Sequence, residues 1–224
     1  ITEPFITIAG QTAPSPGMTV RMTNTGLADW AMVVINTHDV VLQHFAIRPG
    51  SDFCNSAVQL TSQVHYNVVF DHMSVSWQQD EGIGWGAVTL LNGGNTDGTF
   101  WRSIVAAELS NIPNTGACTG GGTSPGHNMG IGAFVKNVSV IQSILAKSAQ
   151  RNPVHGGISG VYVNNLIYDW TGTEGFTYSN GGGTANPWRH SVVGNRFVVG
   201  PNTGDVNTGD PPPGGASLFR YSNN

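Results

Sequence analysis

Six short stretches of this chain repeat one pattern: an apolar strand, a polar kink, then a second apolar strand. They are Val41–Ile47, Val69–Val75, Phe100–Val105, Val140–Leu145, Val163–Tyr168 and Val193–Val198. Their spacing falls mostly in the twenties to thirties of residues, the range in which solenoid repeats occur. The polar position of the kink reads His44, His72, Arg102, Gln142, Asn165 and Asn195. In a parallel β-helix, equivalent positions of successive coils stack about 4.8 Å apart. A column of hydrogen-bonding side chains at one corner would then satisfy the backbone where each strand bends. No coil can bury its own apolar face, so neighbours stack and the core becomes continuous. The pattern predicts an all-β right-handed parallel β-helix with about seven or eight coils, one domain over residues 1–224.

Two other folds fit less well. A β-sandwich expects antiparallel strands with turn signals every 8–12 residues or so. A doubly wound α/β fold needs amphipathic helices between strands, and almost none are visible. The longer connections, Gln79 to Gly86, Ser110 to His127 and Gly181 to His190, are glycine-rich and irregular. They are expected to project from one side of the helix, where function is best sought. The stretch from Pro201 to Gly215 reads as a surface excursion before a last strand, Ser217 to Tyr221.

Composition narrows the class. Only 10% of residues are charged, yet 39% are hydrophobic and 31 of the 224 are glycine, which suits an all-β chain with many tight turns rather than disorder. Nine scattered basic residues and a net charge of -4 offer no footprint for nucleic acid. No apolar run approaches the roughly 18 residues that span a membrane. Ile1 opens on a strand-like segment with no leader-like stretch, and a longer parent chain stays open. Cys54 and Cys118 could form one bridge or two free thiols. The sequon at Asn137 lies inside a strand pattern and reads as chance.

Several residues draw attention as chemistry, each with a plainer reading beside it. Asp71 and His72 look like a catalytic pair, but their corner position favours structural hydrogen bonding. Asp80 and Glu81 are a metal or substrate site, or a solvated turn. Trp77 and Trp85 flank that loop and could stack on sugar faces, or fill the core. Lys147 could attract an acidic sugar, or be an ordinary surface lysine. His127, beside Gly126, is a substrate contact or a loop residue. Gly120 to Gly122 is no phosphate cradle, since neither a Lys-Ser/Thr pair nor a helix follows.

Ile6–Pro14, Ile47–Gly50, Asn67–His72, Ser74–Trp77 and Arg151–Pro153 together resemble, in order, the landmarks of pectate lyase-like proteins over roughly Ile1 to Trp170. That resemblance implies extracellular polysaccharide lyases acting on uronic-acid polymers by β-elimination, with calcium and an arginine base. Carried over residue by residue, Arg151 falls at the base and Asp80 at a calcium carboxylate, with Glu81 a second candidate ligand. Asp80 lies eight residues after His72, and Arg151 nine after Gln142, so both flank one side of the helix about 10 Å apart. The sequence departs from the family elsewhere. Its other calcium carboxylates would align near Ser56 and Gly84, the second arginine is replaced within Pro153-Val154-His155, and the usual lysine has no counterpart in Ser110 to His127.

Two functions follow. One is a secreted or extracellular lyase that cleaves an acidic, uronate-containing polysaccharide, with Arg151 as base, calcium at Asp80 and Glu81, and His127, Lys147, Trp77 and Trp85 on the substrate. The other is a non-catalytic carbohydrate-binding or structural β-helix, such as part of a viral or cell-surface appendage. Oligomeric state is not legible in the sequence.

Overall fold

A computed structural model describes residues 1–22, 31–50, 53, 55–60, 65–86, 97–107, 129–157, 159–170, 175–178 and 189–203. Cys54, Cys118, His127, the glycine run 120–122 and the last expected strand, Ser217 to Tyr221, lie outside the described residues.

The chain winds in coils of three strands. The first coil holds β1 (Ile6–Ala9), β2 (Met18–Arg21) and β3 (Ala31–Ile35), with a short 3-10 turn at Gly10–Thr12. The second holds β4 (Val40–Gln43), β5 (Phe45–Arg48) and β6 (Ser56–Leu60), and the third β7 (Val68–Asp71), β8 (Ser74–Val75) and β9 (Glu81–Trp85). Then come β10 (Gly98–Trp101), β11 (Ile104–Ala106) and β12 (Met129–Ala133), followed by β13 (Asn137–Ile141), β14 (Ile144–Ala146) and β15 (Val154–His155). The sixth coil is β16 (Ser159–Val163), β17 (Leu166–Tyr168) and β18 (Thr177–Tyr178), and β19 (Arg189–Val193) with β20 (Arg196–Val198) opens a seventh.

First strands pair with first strands, second with second and third with third. Three parallel sheets result: sheet A of seven strands from β1 to β19, sheet B of seven from β2 to β20, and sheet C of six from β3 to β18. The fold is the expected right-handed parallel β-helix, with seven coils among the described residues. Among the described residues, no helix is long and apolar enough to cross a membrane.

Alternation places the core. Val40 and Leu42, Val68 and Phe70, Val138 and Val140 are buried from sheet A. Ile47, Val75, Val105, Leu145 and Ile167 are buried from sheet B, and Val58, Leu60, Ile83, Trp85 and Ile131 from sheet C. The fourth coil has Gly98 where its neighbours in register have Val68 and Val138. A β-carbon at Gly98 would meet Trp85 Cε2 at 3.0 Å, so the missing side chain makes room for the indole.

The corner between sheets A and B is built from two columns, where the sequence suggested one. The register that pairs Asp71, Trp101, Ile141, Val163 and Val193 continues into His72, Arg102, Gln142, Asn164 and Gly194. These outer residues, with His44, all have left-handed backbones, φ running from 46° at Arg102 to 65° at Gly194. His, Asn and Gly are among the residues that tolerate this region best. One step further in lie Met73, Ser103, Ser143, Asn165 and Asn195. Here each side-chain oxygen accepts the backbone N–H of the coil before it: Ser103 from Met73 (2.8 Å), Ser143 from Ser103 (3.2 Å), Asn165 from Ser143 (2.9 Å) and Asn195 from Asn165 (2.9 Å). Asn165 and Asn195 therefore belong to the inner ladder, not to the column of His72, Arg102 and Gln142. A one-residue slip puts a side chain on the other face of the strand, and an apolar-polar-apolar pattern does not distinguish the two positions.

A further polar column was not foreseen. At the entrance to sheet A, Asn67 donates to Asp39 (2.8 Å), Asn137 to Asp97 (2.9 Å) and Ser159 to Asn137 (2.5 Å). Asp39, Asn67 and Asp97 are also left-handed. Its signal was present in the sequence: an Asp or Asn stands directly before each of Val40, Val68, Gly98 and Val138. Asn137 opens β13, within the strand that its sequon suggested.

Candidate functional site

The connections from sheet B to sheet C are irregular, and they carry most of the sequence candidates. Trp77 and Lys147 continue the register of β8 and β14, with Ala107 of the coil between them; all three are left-handed, at φ 70°, 58° and 52°. Trp77 and Lys147 therefore share one column two coils apart, about 10 Å by strand spacing. Trp77 is 46% exposed. Beneath it Arg48 donates from Nη1 to the Ser74 carbonyl and from Nη2 to the Ser74 hydroxyl, each at 2.6 Å. The Arg48 guanidinium lies 5.8 Å from the Trp77 ring centre, and burial lowers its pKa. This cation beside the ring restrains an otherwise exposed indole. Lys147 is exposed.

Trp85 leaves the candidate set. Its ring is fully buried, 5.4 Å from Phe70, in the space above Gly98. An indole that alternates inward with Ile83 cannot stack on a sugar.

Arg151 and Glu81 come together at the entrance to sheet C, where Asp80 directly precedes Glu81. Glu81 pairs in register with Met129, and Met129 bridges to Gln150, so Arg151 follows directly on the line that starts at Glu81 two coils earlier. Arg151 is left-handed at φ 58° and partly buried. Its Nη1 donates to Glu81 Oε1 across the intervening coil. Ser56, one coil before Glu81, donates its hydroxyl to Glu81 Oε2 at 2.9 Å. The bridge passes over Gly132, where a β-carbon would stand 3.6 Å from both Arg151 Nη1 and Glu81 Oε1. The Phe134 ring, 5.6 Å from the guanidinium carbon, backs the arginine.

Sequence reasoning missed Ser56, Gly132 and Phe134 as parts of this arrangement. A usable signal was there, since Glu81-Gly82-Ile83-Gly84 and Met129-Gly130-Ile131-Gly132 repeat a Gly-Ile-Gly core and stack in register. Gly130 is needed for a different reason, because a β-carbon there would meet the Arg151 carbonyl at 2.5 Å.

These contacts test the fit of calcium. Calcium takes about six to eight oxygen ligands, usually with several carboxylates. Both oxygens of Glu81 are engaged, one by Arg151 and one by Ser56. Gly84, at the position of another family carboxylate, is covered by the Gln59 amide, whose Oε1 would stand 2.1 Å from an added β-carbon. Glu81 and the Gly84 position therefore offer calcium no open carboxylate oxygen, which leaves Asp80 as the one candidate ligand of the pair.

Where a second arginine would follow Arg151, the chain places His155 in the interior. Its Nδ1 shares a 2.6 Å hydrogen bond with the Tyr162 hydroxyl, and its ring packs edge-on to His190. Burial, then the neighbouring His190, push the His155 pKa down to about 3. A neutral ring takes the place of a surface cation.

No family model matches this sequence. It is 30% identical over 198 residues to a protein of Aspergillus flavus named probable pectate lyase C, covering 88% of this chain and 40% of that protein. A protein of the same name from Aspergillus oryzae is 29% identical over the same length, and one from Emericella nidulans is 28% identical. The chain thus spans about 40% of the length of the curated relatives it matches. Similarity along most of its length, joined to three parallel sheets wound as one coil, makes this chain pectate lyase-like in sequence and in fold.

Proposed function

We propose that this protein acts on an acidic, uronate-containing polysaccharide outside the cell, as a lyase, with Arg151 at the reacting carbon. The observation that carries this reading is the Arg151 guanidinium, held across the outside of Gly132 two coils from Glu81. Trp77 and Lys147 stand on the neighbouring connection as an aromatic surface and a cation, and Asp80 precedes Glu81 at the same entrance. The names of the relatives support the substrate class.

β-Elimination asks little of the protein beyond position and charge. A substrate carboxylate displaces Glu81 from Arg151. Arg151, after releasing a proton to water, uses a guanidine nitrogen to take the proton from the carbon beside that carboxylate. The electron pair left behind forms a carbon–carbon double bond as the glycosidic C–O bond breaks, and the departing oxygen takes a proton from water. Glu81 occupies the guanidinium edge that the substrate carboxylate needs, so its displacement comes before proton transfer. No step runs through calcium.

The same ion pair favours a second reading, binding without cleavage, since a guanidinium kept charged grips carboxylates but removes no proton. Incubation with polygalacturonate separates the two. A lyase generates the ultraviolet absorbance of an unsaturated uronide, and Arg151→Lys abolishes it while retaining fold. A binder gives no absorbance on any polyuronate, yet is retarded on a polyuronate gel, and that retardation weakens in Arg151→Lys and Lys147→Ala. Neither absorbance nor retardation would overturn both readings.

A further inference from the structure

The corner between sheets A and B carries a second constellation, on a different edge of the coil from Glu81 and Arg151. His44 and His72 occupy equivalent corner positions in adjacent coils, each with a left-handed backbone, φ 59° and 52°. That shared conformation brings their rings face to face, with centres 4.5 Å apart and planes 11° from parallel. Asp71, the residue before His72, accepts or shares a 2.5 Å hydrogen bond with His72 Nδ1 through its Oδ1. One ligand atom from each of the three lies within 4.8 Å of the others, the sole such group among the described residues. Both rings are exposed, so an ion can reach them from water.

We propose that His44 and His72, oriented by Asp71, bind one divalent transition-metal ion of the zinc or nickel class. Two imidazoles with a carboxylate behind them suit borderline metals, whereas calcium and magnesium select oxygen. Asp71 holds the His72 ring through Nδ1 and leaves Nε2 for the ion, the usual way a carboxylate sets a metal-binding histidine. Two nitrogens on one zinc ion stand roughly 3.3 Å apart, given zinc–nitrogen bonds of about 2.0–2.1 Å. Rotation of the exposed His44 side chain brings its ring to that distance while Asp71 holds His72 and the corner backbone, locked in the sheet ladders, stays in place. Waters complete the coordination. His38 offers a contrast: it also bonds an adjacent carboxylate, Asp39 (2.7 Å), but its ring stacks on Tyr66 instead of a second histidine.

The test uses the whole chain freed of metal with a chelator, titrated calorimetrically with zinc chloride and separately with nickel chloride. The expected result is one ion per chain. His44→Asn and His72→Asn should each weaken binding at least tenfold. Asn tolerates the left-handed backbone, so these variants should keep the fold. Asp71→Asn should cost about ten- to a hundred-fold, as for other carboxylates behind a ligating histidine. His38→Asn and Glu81→Gln should leave affinity unchanged, and calcium should not compete. In a second measurement, nickel should broaden the ring proton signals of His44 and His72 before those of His38. Binding that persists undiminished in both His44→Asn and His72→Asn, broadening that spares these two rings, or no binding at millimolar zinc and nickel would overturn the proposal.

Discussion

The corner between sheets A and B and the connections between sheets B and C are traversed by the same coils, yet obey different rules. From the fourth coil on, the corner repeats: a left-handed residue outside, then a hydrogen-bonding side chain inside that caps the previous coil's backbone. The connections do not repeat. Five residues separate β8 from β9, and seven separate β14 from β15. Trp77, Lys147 and Arg151 each occupy a left-handed position there, but with different neighbours. Repetition marks what the solenoid needs to stack, and irregularity marks where chemistry can be added without unstacking it. His44, Asp71 and His72 are the place where the repeating corner itself acquires chemistry.

The inner ladder should give the largest effect if the corner is structural. Asn165 accepts the Ser143 N–H and donates to the Val140 carbonyl, and it is buried. Asn165→Leu should cost about 2–6 kcal/mol in urea unfolding, because two buried backbone groups are orphaned at about 1–3 kcal/mol each. Gln142→Ala, one column outward and exposed, should cost under about 0.5 kcal/mol. Equal losses would erase the distinction between the two columns.

The interior behind the connections should show itself in pH. His155 is neutral when folded, its pKa held at about 3, and takes a proton readily once unfolded. Its contribution is fully present above pH 6.5 and is lost as pH falls from there toward about 3. His155→Gln should therefore remove close to one proton's worth of slope between pH 6 and 4, about 1.4 kcal/mol per pH unit. An unchanged slope would mean that the ring is already protonated in the folded state.

At the connection, Glu81→Gln should lower stability by about 1–2 kcal/mol, since the pair is partly open to water. It should also strengthen retention on polyuronate by freeing Arg151, the opposite of what a calcium carboxylate would do. The smallest change in stability at this connection should come from Trp77→Ala, under about 1 kcal/mol for a half-exposed ring. Its effect should appear instead as weaker retention on the polyuronate gel. A large loss of stability with unchanged retention would place Trp77 with the core.

Binary pattern and turn chemistry determined the fold, because a solenoid writes the same local instruction many times. Val, Ile and Leu alternate with polar residues in six segments, and His, Asn or Gly mark the corners, so the repeat was legible without any long-range contact. The sequence also marked the irregular connections, and with them Arg151, Asp80, Glu81, Trp77 and Lys147. Tertiary structure decided what each of those side chains meets. Trp85 turned inward because Gly98, thirteen residues on, leaves a space that exists only once coils three and four are stacked. Glu81 became the partner of Arg151, with Ser56 on its other oxygen, because four successive coils bring residues 56, 81 and 151 to one edge, with Gly132 leaving room between the last two. The ladder split into two columns because register, unlike pattern, is fixed only when strands from different coils pair. A local rule repeated along the chain can be read from the chain; a contact across coils depends on how many residues each loop inserts.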